Sequence, residues 1–589
     1  MSFLNVFKKL WGFVKEYKLY LFIGLMFIYL YVIISMVPGY INRKVIDDVI
    51  RNGKLNILTS LLIVFITANL LRAVFALIHR YFIENLSQSI LKDLKQALYD
   101  HLQKMSFNYY NNHKTGELMS RMTGDMQAIR RMIAEGLIMS SQAVFYYISV
   151  SIVLFSINIK LTLVSLAVTP LIAFFAYRLS QRIRPVFSKI RKQYSDLNSI
   201  VQENISGIRI VKAFHQQCYE IEKFDDENNE YFLKNYKAAR IWSSFFPIIE
   251  FLGGLSTVLL LYFGGSMVIS GEISIGIWIQ FNSYLWMLIM PMRMTGHVVN
   301  MINRTIAAGE RIFEILETEP EIVSKKDTVK TDRIKGKVEF KNISLQYGDQ
   351  KVLKNINLSV EAGSTVAIMG ATGSGKTSLI NLIGRYYEAS EGKLLIDSID
   401  VKDYDLKNLR KQISIVMQDV FLFSETIKKN ITYGKSDAEM KDIKNAAEIA
   451  GASEFIENMD EKYETVVGER GMGLSGGQKQ RVSIARAIVE KPPILILDDA
   501  TSAIDMETEH KIQKSLDNMD IKSTVFIIAH RISSVTKADM IIILEDGEII
   551  EKGTHEELLN NKGKYYNIFR EQYKEILEDE GFNNKMVIS

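Results

Sequence analysis

Residues 494–505 read ILILDDATSAID. Four apolar residues run into Asp498, and Asp499 follows. A strand that ends in a carboxylate in this way suits a magnesium ion held beside nucleotide phosphates. Upstream, residues 370–377 read GATGSGKT, a complete phosphate-loop pattern, after the strand-like STVAIM and before an apolar helical run. Gly370, Gly373 and Gly375 let the backbone N–H groups of Ala371, Thr372 and Ser374 close round phosphates. Lys376 then reaches the β- and γ-phosphates, and Thr377, with Ser378 behind it, holds magnesium. Between these two motifs lies LSGGQ (474–478). It opens a helix, so Ser475, the amides of Gly476 and Gly477, and Gln478 form a second anion-binding end. From Lys337 onward short β-type runs alternate with helical ones: KVEFKNISL, VLKNINLSV, STVAIMG, ILILDD, STVFIIAH and DMIIILEDG. The spacing predicts an α/β nucleotide-binding domain over 337–589.

The N-terminal half is a different material. The chain has 589 residues, enough for several domains. Residues 1–300 carry long apolar runs, whereas 320–589 read as soluble protein. Six runs reach the roughly 20 residues that a bilayer requires, near 20–41, 56–79, 137–158, 161–180, 243–270 and 275–296. The gaps after the second and fourth are long, yet their apolar residues recur at helical spacing, as in LSQSILKDLKQALYDHLQKM. The spans are therefore expected to continue as helices well past the bilayer, turn and return. Phe3, Phe7, Leu10, Trp11 and Val14 fall on one face of an initial helix suited to the membrane interface. No cleavable leader is read there. A polar stretch over 318–336 is the expected linker between a membrane domain over 1–317 and the α/β domain.

Charge and cysteine content narrow the class. The formal net charge is only +4, which gives no argument for nucleic acid. The single cysteine, Cys218, excludes an internal disulfide. Arg121, Arg130, Arg131, Arg178, Arg182 and Arg184 crowd the long gaps, which places those gaps and both termini in the cytoplasm. Arg43, Lys44, Arg51 and Lys54 in the first short loop run against that rule. Glu250, inside the fifth span, is a candidate functional charge. Arg72 and Arg293 lie nearer span ends, where snorkelling accounts for them equally well. The sixth span carries Phe281, Tyr284, Trp286 and four methionines, a surface that suits either varied apolar ligands or lipid. The Lys-, Ile- and Asn-rich composition points to a bacterium.

With these motifs in this order, the chain resembles a half-size ATP-binding cassette exporter of the multidrug and lipid-flippase type. The resemblance extends from the first helix to about residue 575. It implies a six-helix transmembrane domain of the type I exporter kind fused to an α/β phosphate-loop ATP-binding cassette, with ATP and Mg2+ as cofactors. Tyr347, in LQYGDQ, stands where such proteins stack an aromatic on adenine. Gln418, in IVMQD, matches the glutamine that contacts magnesium and the attacking water. His530, in IIAHR, matches the histidine on the γ-phosphate, and SAID (502–505) the loop that crosses the dimer. VGERG (467–471) resembles the exporter loop before the signature LSGGQ, which serves ATP on the opposite subunit. MSFNYYNNHKTGELMSRMTGD and ENISGIRIVKAF resemble the two cytosolic loops. Their turns, near Asn111–Gly116 and Asn204–Gly207, are expected to be coupling helices on the cassettes.

The departure is Asp499, where the family normally has the Glu that polarises the attacking water. Asp is one methylene shorter, so its carboxylate stands back by about 1.5 Å, and loss of a well-placed general base slows a reaction typically by about 10²–10⁴. Lys376, Thr377, Asp498 and Gln418 are intact, so binding of ATP and magnesium is expected to persist. The resemblance implies a heterodimer in which this chain carries the weakened site. Its partner would be a second half-exporter with Glu after its magnesium Asp. The other contacts implied are membrane lipid and an amphipathic drug, lipid or peptide as cargo. A homodimeric lipid flippase, or a membrane sensor that binds ATP without transport, is also compatible with Asp499. The spans argue against a soluble cassette ATPase. Spans and cassette on one chain argue against an importer, and the lack of a peptidase-like leader segment argues against a processing peptide exporter.

Overall fold

The computed structural model describes residues 3–517 and 522–572. The last residues of the domain expected over 337–589, and the side chains of Phe3, Met292 and Arg293, fall outside the described residues. The chain folds as two units. One comprises Met1–Lys104 with His113–Glu319, the other Met105–Asn112 with Pro320–Ser589.

The first unit is helical. Among the described residues five helical runs are long and apolar enough to cross a membrane: Asn5–Arg51, Leu55–Leu102, Thr115–Ile157, Ile159–Ser206 and Gln217–Ile269. The sixth expected span lies within the helix Ile275–Glu317. Lys18–Lys44 packs along Leu58–Leu102, and Thr169–Ser206 along Gln217–Leu259. Ile28 meets Ile83, Leu86 and Ile90 across the first pair, Val186 and Ile190 meet Ala238 across the second, and Leu154, Leu161, Ile172, Phe281 and Leu288 share a cluster contributed by several helices. The opposite faces stay apolar. Leu70 and Leu77 are 63% and 71% exposed, an arrangement that suits hydrocarbon and not water. The initial helix Phe3–Val14 does more than present an amphipathic face. Val6 and Leu10 are buried, Val6 against Gly309, and Lys9 pairs with Glu317. Trp11 remains 55% exposed.

The cations that run against the charge rule in the first short loop are largely neutralised. Arg43 faces Asp47 at 3.8 Å, while Lys44 and Lys54 face Asp48 at 3.2 and 3.7 Å. Asp47 also accepts from Ser274 Oγ at 2.5 Å and from the Gly276 N–H at 3.0 Å, which caps the helix that begins at Ile275.

The second unit holds two sheets. An antiparallel one runs in the order Gln350–Val360, Val338–Tyr347, Glu391–Ile396, Ile399–Asp400. The other has six strands in the order Glu548–Gly553, Met540–Glu545, Thr365–Met369, Thr524–Ile528, Ile494–Asp498, Ile413–Val416. Its last five strands are mutually parallel, and Glu548–Gly553 closes one edge antiparallel. Ile494–Asp498 is buried at every position, as expected of a parallel strand covered on both faces.

Part of the first long gap belongs to this second unit. The helix Phe107–Asn112 overlaps the start of the turn expected at Asn111–Gly116. Phe107 stacks on Tyr386 with ring centroids 4.8 Å apart and planes 6° from parallel. Asn111 Nδ2 donates to Tyr387 Oη at 2.7 Å, and Asn108 Nδ2 to Glu321 at 2.9 Å. The second expected turn is followed by the helix Ile208–Ala213, which lies in the first unit. A stacked aromatic pair contributes about 0.5–1.5 kcal/mol beyond its buried area. Phe107→Ala is therefore expected to speed amide hydrogen exchange over 105–112 by roughly three- to tenfold. Unchanged exchange there would show that the polar contacts alone hold the segment.

Candidate functional site

Four strands of the parallel sheet end on the same edge, and each delivers one part of a cavity of about 260 Å3. Thr365–Met369 leads into the phosphate loop, Ile413–Val416 into Gln418, Ile494–Asp498 into Asp498 and Asp499, and Thr524–Ile528 into His530. Open α/β sheets bind ligands at this carboxyl edge because the loops diverge there. Thr372, Gly373, Gly375, Lys376, Thr377 and Ser378 line the cavity from the loop side.

The loop's shape follows from its glycines. Gly370 has φ 153°, and a Cβ there would collide with the carbonyl of Leu544 on the neighbouring strand. The helix Lys376–Ile383 starts directly after Gly375, so its first N–H groups face the loop. Lys376 Nζ donates to the carbonyls of Gly370 and Ala371, both at 2.8 Å, and curls the loop over itself. Burial draws the Lys376 ammonium below its ordinary range, against the pull of Asp498 and Asp499. The Ser374 hydroxyl is buried with no hydrogen-bond partner. An orphaned hydroxyl, a lysine among carbonyls and a helix N-terminus together fit a phosphate chain.

The acidic side is equally constrained. Thr377 Oγ1 donates to Asp498 Oδ2 at 3.1 Å. Burial raises the Asp498 carboxyl above its ordinary range; the Thr377 bond opposes this and the neighbouring Asp499 adds to it. Threonine hydroxyl and carboxylate are hard oxygen donors side by side, the chemistry magnesium selects. Asp499 is half-buried and sits in the left-handed region at φ 50°, its N–H donating to the Ile528 carbonyl at 3.1 Å. Asp tolerates this conformation better than most residues. Gln418 and His530 are exposed at the cavity wall. Tyr347 is not among the lining residues. It ends the strand Val338–Tyr347, packs edge-on to Tyr387 at 5.1 Å, and reaches Ser378 Oγ at 3.5 Å.

The LSGGQ segment does not join this cavity. Ser475 and Gly476 are exposed at the start of the helix Gly476–Ile488. Ser475 Oγ accepts from the Gln478 N–H at 3.3 Å while the Ser475 N–H donates to Gln478 Oε1 at 2.9 Å, a reciprocal cap. Sequence reasoning missed what anchors this helix. Buried Gln480 donates to Ser502 Oγ at 3.1 Å and accepts from the Ala503 N–H at 3.0 Å. Glu509 in turn accepts from Thr501 at 2.7 Å and Ser534 at 2.5 Å, and faces Arg531 at 3.7 Å. Gln572 holds the His530 carbonyl at 2.6 Å and the Ile532 N–H at 2.9 Å. The available signal was Gln480 itself, a polar residue on the apolar stripe of Gln480, Ser483, Ile484, Ala487 and Ile488.

A Cβ at Gly477 would lie 2.9 Å from the Ala503 carbonyl. Gly477→Ala must therefore displace the 502–505 loop. ATPase activity is expected to fall at least about tenfold, a rise of roughly 1.4 kcal/mol in the barrier. Nucleotide binding at this chain's own loop, read by photolabelling, should be unaffected. Loss of labelling would show that Gly477 serves the fold of the phosphate loop instead.

Comparison with known proteins agrees with this geometry. The family "ABC transporter transmembrane region" matches residues 21–292, and the family "ABC transporter" matches residues 353–502. A Bacillus subtilis protein, "Uncharacterized ABC transporter ATP-binding protein YknU", is 39% identical over 578 residues, covering 97% of this chain and 98% of its own length. An "ATP-dependent lipid A-core flippase" of Syntrophus aciditrophicus is 37% identical, covering 91% of this chain and 89% of its own. A solved bacterial Atm1-family ABC exporter with ATP bound superposes with a TM-score of 0.80 at 25% identity, covering 94% of this chain and 98% of its own. A phosphate-loop site at the carboxyl edge of a parallel sheet, on a chain that also carries membrane-spanning helices, thus belongs to the ATP-binding cassette family, and the chain is an exporter that couples ATP hydrolysis to transport.

Proposed function

We propose that this chain is one half of a heterodimeric exporter of amphipathic compounds, and that the ATP site over its own phosphate loop is the slow one of the pair. The observation that carries the dimer is the separation within one chain: Ser475 and Gly476 are exposed, outside the cavity formed by the phosphate loop, Asp498 and His530. A capped helix N-terminus with an exposed serine and glycine is suited to an anion. It suits the phosphates held by a second chain, whose LSGGQ would cover this chain's cavity in return. Both termini on the cytoplasmic side follow from that arrangement and from the arginine-rich gaps. The relative named as a lipid A-core flippase supports amphipathic cargo.

The roles within the site follow from its chemistry. Lys376 and the loop N–H groups hold the phosphates of ATP, and Tyr347 the adenine. Thr377 and Asp498, with Gln418, would hold magnesium, which supplies neutralisation of phosphate charge. Asp499 orients the attacking water and accepts its proton, and His530 contacts the terminal phosphate. The short arm of Asp499 weakens only the proton-accepting role. Phosphate binding depends on groups that are all in place.

Export is tested by ATP-driven movement of a fluorescent amphiphile into inverted vesicles that carry this chain and its partner. ATP binding without movement would favour a sensor. Purified alone, the chain is expected to hydrolyse ATP slowly, because both sites of a homodimer would hold Asp499. Asp499→Glu should raise that rate, by up to about 10², although φ 50° suits Asp better than Glu and blunts the gain. With the partner present, Ser475→Ala should reduce steady-state ATPase far more than Asp499→Asn. Lys376→Ala should leave part of the activity. If Asp499→Asn abolishes turnover while Ser475→Ala keeps most of it, Asp499 is an ordinary catalytic carboxylate and the two sites are equivalent.

A further inference from the structure

Three helices of the helical unit enclose a cavity of about 540 Å3, a size that accepts one drug-sized molecule. Each helix presents a single face to it. Thr169–Ser206 contributes Arg184, Phe187 and Arg191 at i, i+3 and i+7, and Ile275–Glu317 contributes His297, Asn300 and Arg304 at the same spacing. Gln217–Leu259 contributes Trp242, Phe246 and Ile249. Among the described residues neither Glu250 nor any other carboxylate lines it.

Several arginines elsewhere in the same unit are held by acids. Arg130 pairs with Glu84, Arg121 with Glu117, and Arg311 with Asp125. Arg184, Arg191 and Arg304 form no ion pair or side-chain hydrogen bond among the described residues. Positive-inside arginines that merely meet solvent have no reason to converge on an aromatic-walled cavity. Converging guanidinium groups on a partly apolar surface raise a positive field that only an anion relieves. Their planar forks match carboxylate, sulfonate and phosphate oxygens. They lie 4, 11 and 8 residues beyond the expected span ends at 180 and 296, or about 6, 17 and 12 Å at the helical rise. That is headgroup depth and just beyond it, whereas Leu179 and Ile183 begin the apolar wall at the membrane edge.

We propose that this cavity holds the exporter's cargo and that the cargo is an amphiphile with an acidic headgroup. Arg184, Arg191 and Arg304 clamp the headgroup, and the apolar chain lies along Ile183, Phe187, Trp242 and Phe246. The proposal rests on the export reading and names its substrate class. Cationic drugs, the usual probes for a multidrug exporter, are disfavoured by the same field.

Binding without nucleotide separates this proposal from the export reading, which the vesicle assay tests by itself. The full chain in phosphatidylcholine nanodiscs is titrated with dodecyl phosphate, dodecyl maltoside and dodecyltrimethylammonium, with empty nanodiscs as the blank. Dodecyl phosphate should bind at least about tenfold more tightly than the ammonium compound. The double variant Arg184→Gln with Arg304→Gln should lose about tenfold for the phosphate and keep maltoside affinity, which also reports an intact cavity. Arg184→Lys with Arg304→Lys should retain most of the phosphate binding. Equal affinity for all three amphiphiles, preference for the cation, or a parallel loss of all three in the Gln variant would overturn the proposal. Inorganic phosphate should compete only at concentrations about a hundredfold higher, since it buries no chain. Competition at equal concentration would show a plain anion site and overturn the amphiphile assignment.

Discussion

The register of one parallel ladder governs the chemistry of this exporter. Asp498 pairs with Ile528, and Ile528 with Ile368, so three strand ends stand level before the phosphate loop begins. Strands lie about 4.8 Å apart, which sets Asp498 two strands away and leaves the loop to bridge the gap. Side chains alternate along a strand, so a slip of one residue would turn Asp498 to the opposite face. Complete burial of Ile494–Asp498 prevents that slip, because every position has a packed neighbour. The apolar residues before the acid therefore do as much for the site as the acid itself.

The second constraint is a set of polar braces, two from buried residues, Gln480 and Glu509, and one from the exposed Gln572. Gln480 ties the LSGGQ helix to the 502–503 backbone, Glu509 ties Thr501 to Ser534, and Gln572 ties Ile532 to the carbonyl of His530. Breaking one partner of such a buried bond costs more than the bond is worth. Phe107 and Asn111, on Tyr386 and Tyr387, hold the segment 105–112 within the same unit. Tyr387 also touches Tyr347.

In the helical unit, charge is sorted by where its partners lie. The loop cations Arg43, Lys44 and Lys54 meet Asp47 or Asp48. Arg184, Arg191 and Arg304 form no ion pair among the described residues and share a cavity with aromatic rings. Counting charges along the chain treats the two groups alike, whereas their surroundings separate them.

The sequence by itself determined the local pieces. The apolar strand before Asp498, the glycines of 370–375, the helix cap at Ser475 and the length of the apolar runs are short-range facts of propensity, sterics and hydropathy. Strands such as Glu391–Ile396 and Ile413–Val416 are not legible there, because they are short and carry charged or polar residues that blur their period. Tertiary structure alone decided what comes together from a distance. It brought Gln418, Asp498 and His530 to one edge, left Ser475 apart from them, set Gln480 against Ala503, and assembled three arginines from two helices over one cavity. Those contacts join positions tens to hundreds of residues apart. No local periodicity encodes them, because they exist only once burial has fixed which faces of the sheet and helices meet.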